Sequence, residues 1–329
     1  MTTLAPAPDR ERSSAQQYAL RLLLRNESAA LAFLVILVIA FGLTANRFFT
    51  LGNLGAVLEQ VSIIGIIALG LNQVILAAEI DISVGSALAI TASVVAEYGS
   101  NLILALILAV VVAAAVGAIN GFLVVRARIP SIIVTLGMLN GLRGLNNLVN
   151  PVGVPQVPDS IRVLGSGSFL GISHSVLVFI VCCVIAFLIE RNTNWGRNLA
   201  AVGGNASAAR LVGLNARRIT FLAFIFAGVC VGIGTMVYVG QLGAVQPAAG
   251  VGLELQVIAA VVVGGTSING GRGSVLSAIA GALVLGVILN GANLLGLEER
   301  WQQVFVGATI LLAVGIDYAR QRLVERLMT

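Results

Sequence analysis

Apolar residues run along this chain in ten long blocks, separated by short segments rich in Gly, Pro, Asn and Arg. The blocks fall at about Ser28–Ala45, Val61–Ala78, Ile82–Ala96, Leu102–Val125, Ile129–Val149, Ser175–Ile189, Ile219–Val239, Leu255–Ile268, Ser274–Leu295 and Trp301–Ile316. Most approach the ~20 residues that a helix needs to cross the hydrocarbon layer. Helices are the expectation, because backbone in contact with lipid must satisfy its own hydrogen bonds. A barrel would show ten-residue strands of alternating polarity, which long Leu/Ile/Val/Ala/Gly runs do not. No small-residue cleavage site follows the first block, so it reads as a retained helix. The expected fold is all-α, a polytopic membrane helix bundle of about ten transmembrane helices.

Composition agrees with this pattern. Of 329 residues, 58% are hydrophobic and only 10% charged, where a soluble domain carries about 25% charged residues. All nineteen basic residues are Arg, with no Lys. A Walker A nucleotide site and a Schiff-base lysine are thereby excluded. The single histidine, His174, rules out an H-E-x-x-H zinc site. Cys182, Cys183 and Cys230 have neither disulfide nor metal-ligand spacing and read as buried small hydrophobes.

The arginines also set the orientation. With strict alternation of ten spans, fifteen Arg fall on one side and three on the other, with Arg143 inside the fifth span. Positive charge marks the cytoplasmic side, so both termini are expected there. This divides the chain into a cytoplasmic tail over 1–27, a membrane domain over 28–318 and a second tail over 319–329. Within the membrane domain, 191–218 forms an inner loop and 150–174 an outer one. Pro151, Pro155 and Pro158 suit an ordered outer loop or a short surface helix. Gly117/Gly121, Gly137/Gly141, Gly228/Gly232 and Gly281 read as helix-packing positions, since small residues four apart allow close approach in lipid.

Three segments could carry function. Loop 191–218 has five Arg and no acid. Within it Asn205 is a good N-cap for a short helix Ala206–Val212, with Gly213 as its stop. That helix suits a groove on a cytoplasmic partner, or an Arg-rich loop lying against anionic lipid; sequence spacing leaves both open. The segment Ala78–Ser86 carries Glu79 and Asp81. Either Ser83 caps the third helix with Asp81 near its positive end, or the segment is a helix break lining a pathway. Its place near the inner surface favours the cap. The Gly-rich stretch Val263–Ser274, which lacks Lys, is a poor phosphate cradle and reads as a tight inner turn against the same partner.

Polar residues within or beside the spans remain: Gln60, Asn72, Asp81, Ser83, Thr135, Asn140, Arg143, Glu254 and Asn290. Each can bond a neighbouring helix; together they can line a wet passage whose amides and hydroxyls suit polyhydroxy solutes. A buried Arg such as Arg143 needs a partner or water.

The motifs Ile80–Ser86, Pro130–Met138, Gly196–Leu214, Gln246–Ser274 and Asn290–Gly296 resemble the permease subunits of bacterial ABC importers for ribose and related sugars. The resemblance runs from about residue 30 to the C-terminus. It implies a multi-pass permease of the bacterial inner membrane, not an enzyme, that carries a monosaccharide or related polyhydroxy solute inward. The expected partners are cytoplasmic ABC ATPase subunits, a periplasmic sugar-binding protein, and a second copy or paralogue of the permease. ATP would be bound by the ATPase, leaving this chain without a cofactor; neither a metal nor nucleic acid is expected. The resemblance also implies that Gly203, Gly204, Asn205, Ala206, Ala209, Arg210, Leu211 and Gly213 form the ATPase-coupling element. Ala78-Glu79 departs from the Gly-Gly usual at that place. The rival reading is an ion-coupled secondary sugar transporter using Glu59, Glu79 or Asp81 for protons.

Overall fold

The computed structural model of the chain describes residues 26–328, so nearly all of the expected tail over 1–27 lies outside it. In chain order the elements are α1 (Asn26–Thr44), α2 (Leu51–Leu76), α3 (Val84–Tyr98), α4 (Leu102–Arg126), α5 (Ser131–Val149) and α6 (Asp159–Ser166). A hairpin of β1 (Ser168–Phe169) and β2 (Ile172–Ser173) follows. Then come α7 (His174–Asn192), α8 (Trp195–Gly204), α9 (Ala206–Leu211), α10 (Ala216–Leu242), α11 (Leu253–Val263), α12 (Val275–Leu294) and α13 (Glu299–Met328).

Each apolar block of the sequence lies on one of these helices. Five of them, α2, α4, α7, α10 and α12, are long and apolar enough to cross a membrane. The ends shift where capping overrides hydropathy. α2 begins at Leu51, ten residues before the block, because Thr50 Oγ1 accepts the Asn53 N–H. α11 stops at Val263, where Gly264 and the positive-φ Gly265 follow. α13 continues to Met328, through the expected tail over 319–329 as far as the described residues reach.

Burial sorts the helices into centre and rim. The most apolar window of α12 is 83% buried and that of α10 is 67%, against 28% for α4 and 22% for α7. α12, α10 and α2 therefore form the interior, and the outer faces of α4 and α7 present Ile107, Val111, Ile180 and Val184 outward. Glycine lets the interior helices touch backbone to backbone. Gly228 and Gly232 of α10 abut the carbonyls of Ala113 and Ala109 on α4, and Gly281 of α12 abuts that of Ala260 on α11. A side chain at any of these would collide, as expected for small-residue packing in lipid.

Two sequence expectations need correction. Among the described residues nothing lies within 4 Å of where a side chain at Gly137 or Gly141 would begin, because α5 lies on the rim with only its inner face covered, mainly by α3. Of the three cysteines only Cys230 is buried; Cys182 and Cys183 are half-exposed on the rim helix α7.

At one end of the bundle lie α6, the hairpin and an antiparallel bridge between Val154 and Val245. The opposite, Arg-rich end carries α8, α9 and the turn 264–274. α3 and α11 are the short members, with 15 and 11 residues. At 1.5 Å per residue they span only ~22 and ~16 Å, less than a ~30 Å hydrocarbon layer. Their N-termini therefore lie inside the bundle.

Candidate functional site

The Arg-rich end is built around two consecutive short helices where the sequence predicts one. α8 starts at Trp195, whose N–H is accepted by Thr193 Oγ1. Asn205 then breaks the chain in an extended conformation and caps α9, its Oδ1 accepting from Ser207 and Ala208 N–H at 3.0 and 2.9 Å. Gly213, at φ +84, ends it, with Leu214 N–H returning to the Ala209 carbonyl. Ala209 and Val202 are buried against the bundle, while Leu211 and Val212 are 89% and 76% exposed. Arg210 is also exposed and donates to Ser207 Oγ.

This element is fixed to the bundle through glycine. Gly203, at the end of α8, lies so close to the Leu76 carbonyl that no side chain fits there. The same carbonyl accepts the Gly271 N–H at 3.0 Å, and Gly271 in turn abuts Gly204. Gly270, at φ +78, abuts Ala78. Three backbone segments, the end of α8, the end of α2 and the 270–271 turn, thus meet in one junction. Trp195 reinforces it by donating from Nε1 to Gln73 Oε1 on α2 at 3.1 Å. Beside the junction opens a cleft of about 880 Å³, with Glu79, Arg128, Arg210, Arg217 and Thr220 among its lining residues.

Beyond Leu76 the chain breaks, with Ala78 at φ +64, and runs without regular structure to Ser83. Ser83 does not cap α3; its side chain makes no cap bond. Asp81 instead folds a turn just before the helix: its Oδ1 accepts from Ser83 N–H at 2.8 Å and Ser83 Oγ–H at 2.6 Å. Asn120 Nδ2 of α4 donates to Asp81 Oδ2 and to Ser83 Oγ. Ser131 and Thr135 of α5 bond the Ile80 N–H and carbonyl. The segment is therefore a true helix break, in which Asp81, Ser83 and Asn120 bond one another and Thr135 bonds the backbone of Ile80 and Ser131.

The other polar candidates fall into separate places. Asn72 Oδ1 accepts from Thr266 Oγ1 at 2.6 Å. Asn290 and Asn53 exchange two hydrogen bonds at 3.0 and 2.9 Å, clamping α12 to α2. Gln60 is half-buried. Asn140 is exposed on the outer face of α5, which also carries Gly137, Gly141 and Gly144.

Arg143 and Glu254 are the pair that the fold brings together from 111 positions apart. The loop after α10 turns at Gly243, and Asn146 Nδ2 of α5 holds its Pro247 carbonyl at 2.9 Å. It then descends to place Gly250 against Gly85 in the first turn of α3. α11 starts there, with its first-turn Glu254 against Gly85 and 4.0 Å from Arg143 Nη2. Two helix N-termini, each with unpaired N–H groups and partial positive charge, converge on this carboxylate. Arg143 Nη2 and Glu254 Oε2 are buried with no hydrogen-bond partner among the described residues, at a typical cost of ~1–3 kcal/mol for each unmade bond. Broken helices whose ends meet inside the bilayer are the usual ground of transporter sites.

Sequence reasoning missed Trp195 and Glu190. Glu190 Oε2 accepts the Val275 N–H at 2.8 Å and so caps α12 from another helix. A pairing between residues 85 positions apart leaves no local signal.

Residues 53–314 match the family described as branched-chain amino acid transport system / permease component. The ribose import permease protein of Escherichia coli is 36% identical over 316 residues, covering 94% of this chain and 98% of that protein. The fructose import permease protein of Rhizobium meliloti is 32% identical, covering 87% and 84%. The L-arabinose ABC transporter permease protein of Azospirillum brasilense is 34% identical, covering 96% and 93%. No solved structure matches the chain.

Proposed function

This chain belongs to the branched-chain amino acid transport system / permease component family, on its ribose-type sugar ABC permease side, and is a multi-pass protein of the inner membrane; from that premise we propose its role in detail. It is the membrane-spanning subunit of an importer that carries a monosaccharide or related polyhydroxy solute into the cytoplasm. A separate ATPase supplies the energy and a periplasmic binding protein delivers the sugar. The chain crosses the membrane ten times with both termini inside, an orientation supported by fifteen Arg against three.

One observation carries this reading: α9 projects Leu211 and Val212 from the Arg-rich end of a bundle that has no Lys and hence no Walker A motif of its own. The ATPase docks on that exposed surface. Its motion passes from α8 and α9 through the glycine junction to the end of α2 and the break at 77–83, which holds the start of α3. Backbone contacts without intervening side chains transmit displacement stiffly, because close-packed groups cannot be compressed. Two copies of the chain enclose the path, each presenting the open face of α5. Exposed Asn140 and the partly exposed Arg143 support this, since either is costly against lipid. An ion-coupled mechanism has less to work with: Asp81 is held by three hydrogen bonds, and Glu254 faces an Arg.

The test is a cysteine at Leu211 in a background lacking Cys182, Cys183 and Cys230. It is expected to react with impermeant maleimide only from the cytoplasmic side and to cross-link to the ATPase. Labelling from the periplasmic side overturns the orientation and the coupling role together.

A further inference from the structure

We propose that Arg143 and Glu254 form a hydroxyl-binding subsite for a polyhydroxy solute, placed where α3, α5 and α11 meet. Arg143 Nη2 and Glu254 Oε2 are 4.0 Å apart, beyond direct hydrogen bonding, and neither has another hydrogen-bond partner among the described residues. The second carboxylate oxygen accepts from Gly252 N–H at 3.3 Å, which orients the group. Close approach of Gly85 blocks the opposite side. The carboxylate is thus held in place and cannot swing freely towards the guanidinium.

The two unpartnered atoms are complementary in one specific way. The guanidinium nitrogen only donates and the carboxylate oxygen only accepts. A hydroxyl does both through a single oxygen. Placed ~2.8 Å from each, it closes a triangle over the 4.0 Å gap, accepting from Arg143 and donating to Glu254. A carboxylate or an ammonium ion serves one atom and opposes the other. Exchange of a water for a sugar hydroxyl conserves both bonds, so the subsite holds its cargo weakly enough to release it. Both atoms are closed to solvent here, so entry requires the guanidinium to turn towards the outer face of α5, where the Arg143 side chain is already 27% exposed and exposed Asn140 lies one turn away.

The inference rests on the sugar-permease reading, and the experiment separates the two. The chain with its ATPase and binding protein is reconstituted in proteoliposomes and offered D-ribose, D-fructose and L-arabinose. Sugar accumulated per ATP hydrolysed is then compared among variants for whichever sugar the wild type takes up. Glu254→Gln and Arg143→Gln are each expected to lower that ratio at least tenfold, with ATP hydrolysis and melting temperature unchanged. Arg143→Lys, which keeps charge and donor, is expected to retain at least a third of it. Wild-type ratios in Glu254→Gln and Arg143→Gln overturn the subsite. So does a parallel fall of uptake, hydrolysis and melting temperature, which marks a structural ion pair. If the wild type accumulates none of the three sugars, the sugar reading itself falls, and the subsite with it.

Discussion

A methyl group at Gly203 probes the junction that joins α8 to α2. An added Cβ there would overlap the Leu76 carbonyl oxygen and lie 2.7 Å from Gly271 N. Reaching an ordinary contact of ~3.5 Å requires α8 to retreat by on the order of 1 Å. That retreat also pulls on the 3.0 Å bond from Gly271 N–H to Leu76. Overpacking of this kind costs ~1–3 kcal/mol and a weakened backbone hydrogen bond ~1 kcal/mol, so Gly203→Ala is expected to lose about 2–4 kcal/mol. Its neighbour is the control: a Cβ on Gly204 meets only Gly271 Cα at 4.0 Å, an ordinary contact, so Gly204→Ala is expected within ~0.5 kcal/mol of wild type. Thermal unfolding in detergent ranks the two, and sugar uptake by the reconstituted complex is expected to fall about tenfold in Gly203→Ala alone. Equal stability and equal uptake in the two variants would refute the junction.

Three more outcomes follow from named contacts. Asn53→Ala and Asn290→Ala each remove the same two reciprocal bonds, so a double-mutant cycle of unfolding is expected to give a coupling of ~0.5–1.5 kcal/mol; additive losses would dismiss the clamp. Glu190→Ala leaves the Val275 N–H at the start of α12 without that acceptor and is expected to cost ~1–2 kcal/mol by the same assay, an effect absent if the cap is idle. Burial lifts the Glu79 carboxyl above its ordinary value of 4.5, with the hydrogen bond from Ser131 partly opposing. The folded chain thus favours the protonated form, so this contribution is fully present below 4.5 and is lost as pH rises through the raised value. Glu79→Gln is expected to flatten that decline in melting temperature; an unchanged pH profile would count against it.

How much of this was legible beforehand depends on distance along the chain. The ten apolar blocks, the Asn205 cap and the Gly213 stop are local signals, and each appears where hydropathy or capping chemistry places it. For the outer loop, Pro151, Pro155 and Pro158 left an ordered loop or a short surface helix open, and the structure has a short helix at Asp159–Ser166. By contrast, α8 covers only ten residues of an Arg-rich loop and has no side-chain bond from its N-cap to announce it, so the sequence predicts α9 alone. Ser83 does not cap because its hydroxyl is held elsewhere, donating to Asp81 Oδ1 and accepting from the distant Asn120 Nδ2. Gly137 and Gly141 have the spacing of packing residues, yet spacing cannot tell a helix neighbour in the same chain from an open face. Arg143 and Glu254 were both conspicuous as charges among apolar residues. Their meeting was not, because it depends on how far the 243–252 loop descends into the bundle.

The central claim is that energy enters through α9 from a separate nucleotide-hydrolysing chain. It is tested most directly by proteoliposomes containing this chain, its ATPase and the sugar-loaded binding protein, with ion gradients collapsed by ionophores. Accumulation of sugar that requires ATP and the ATPase is the expected result. Accumulation by this chain alone, driven by an imposed proton gradient, would contradict it.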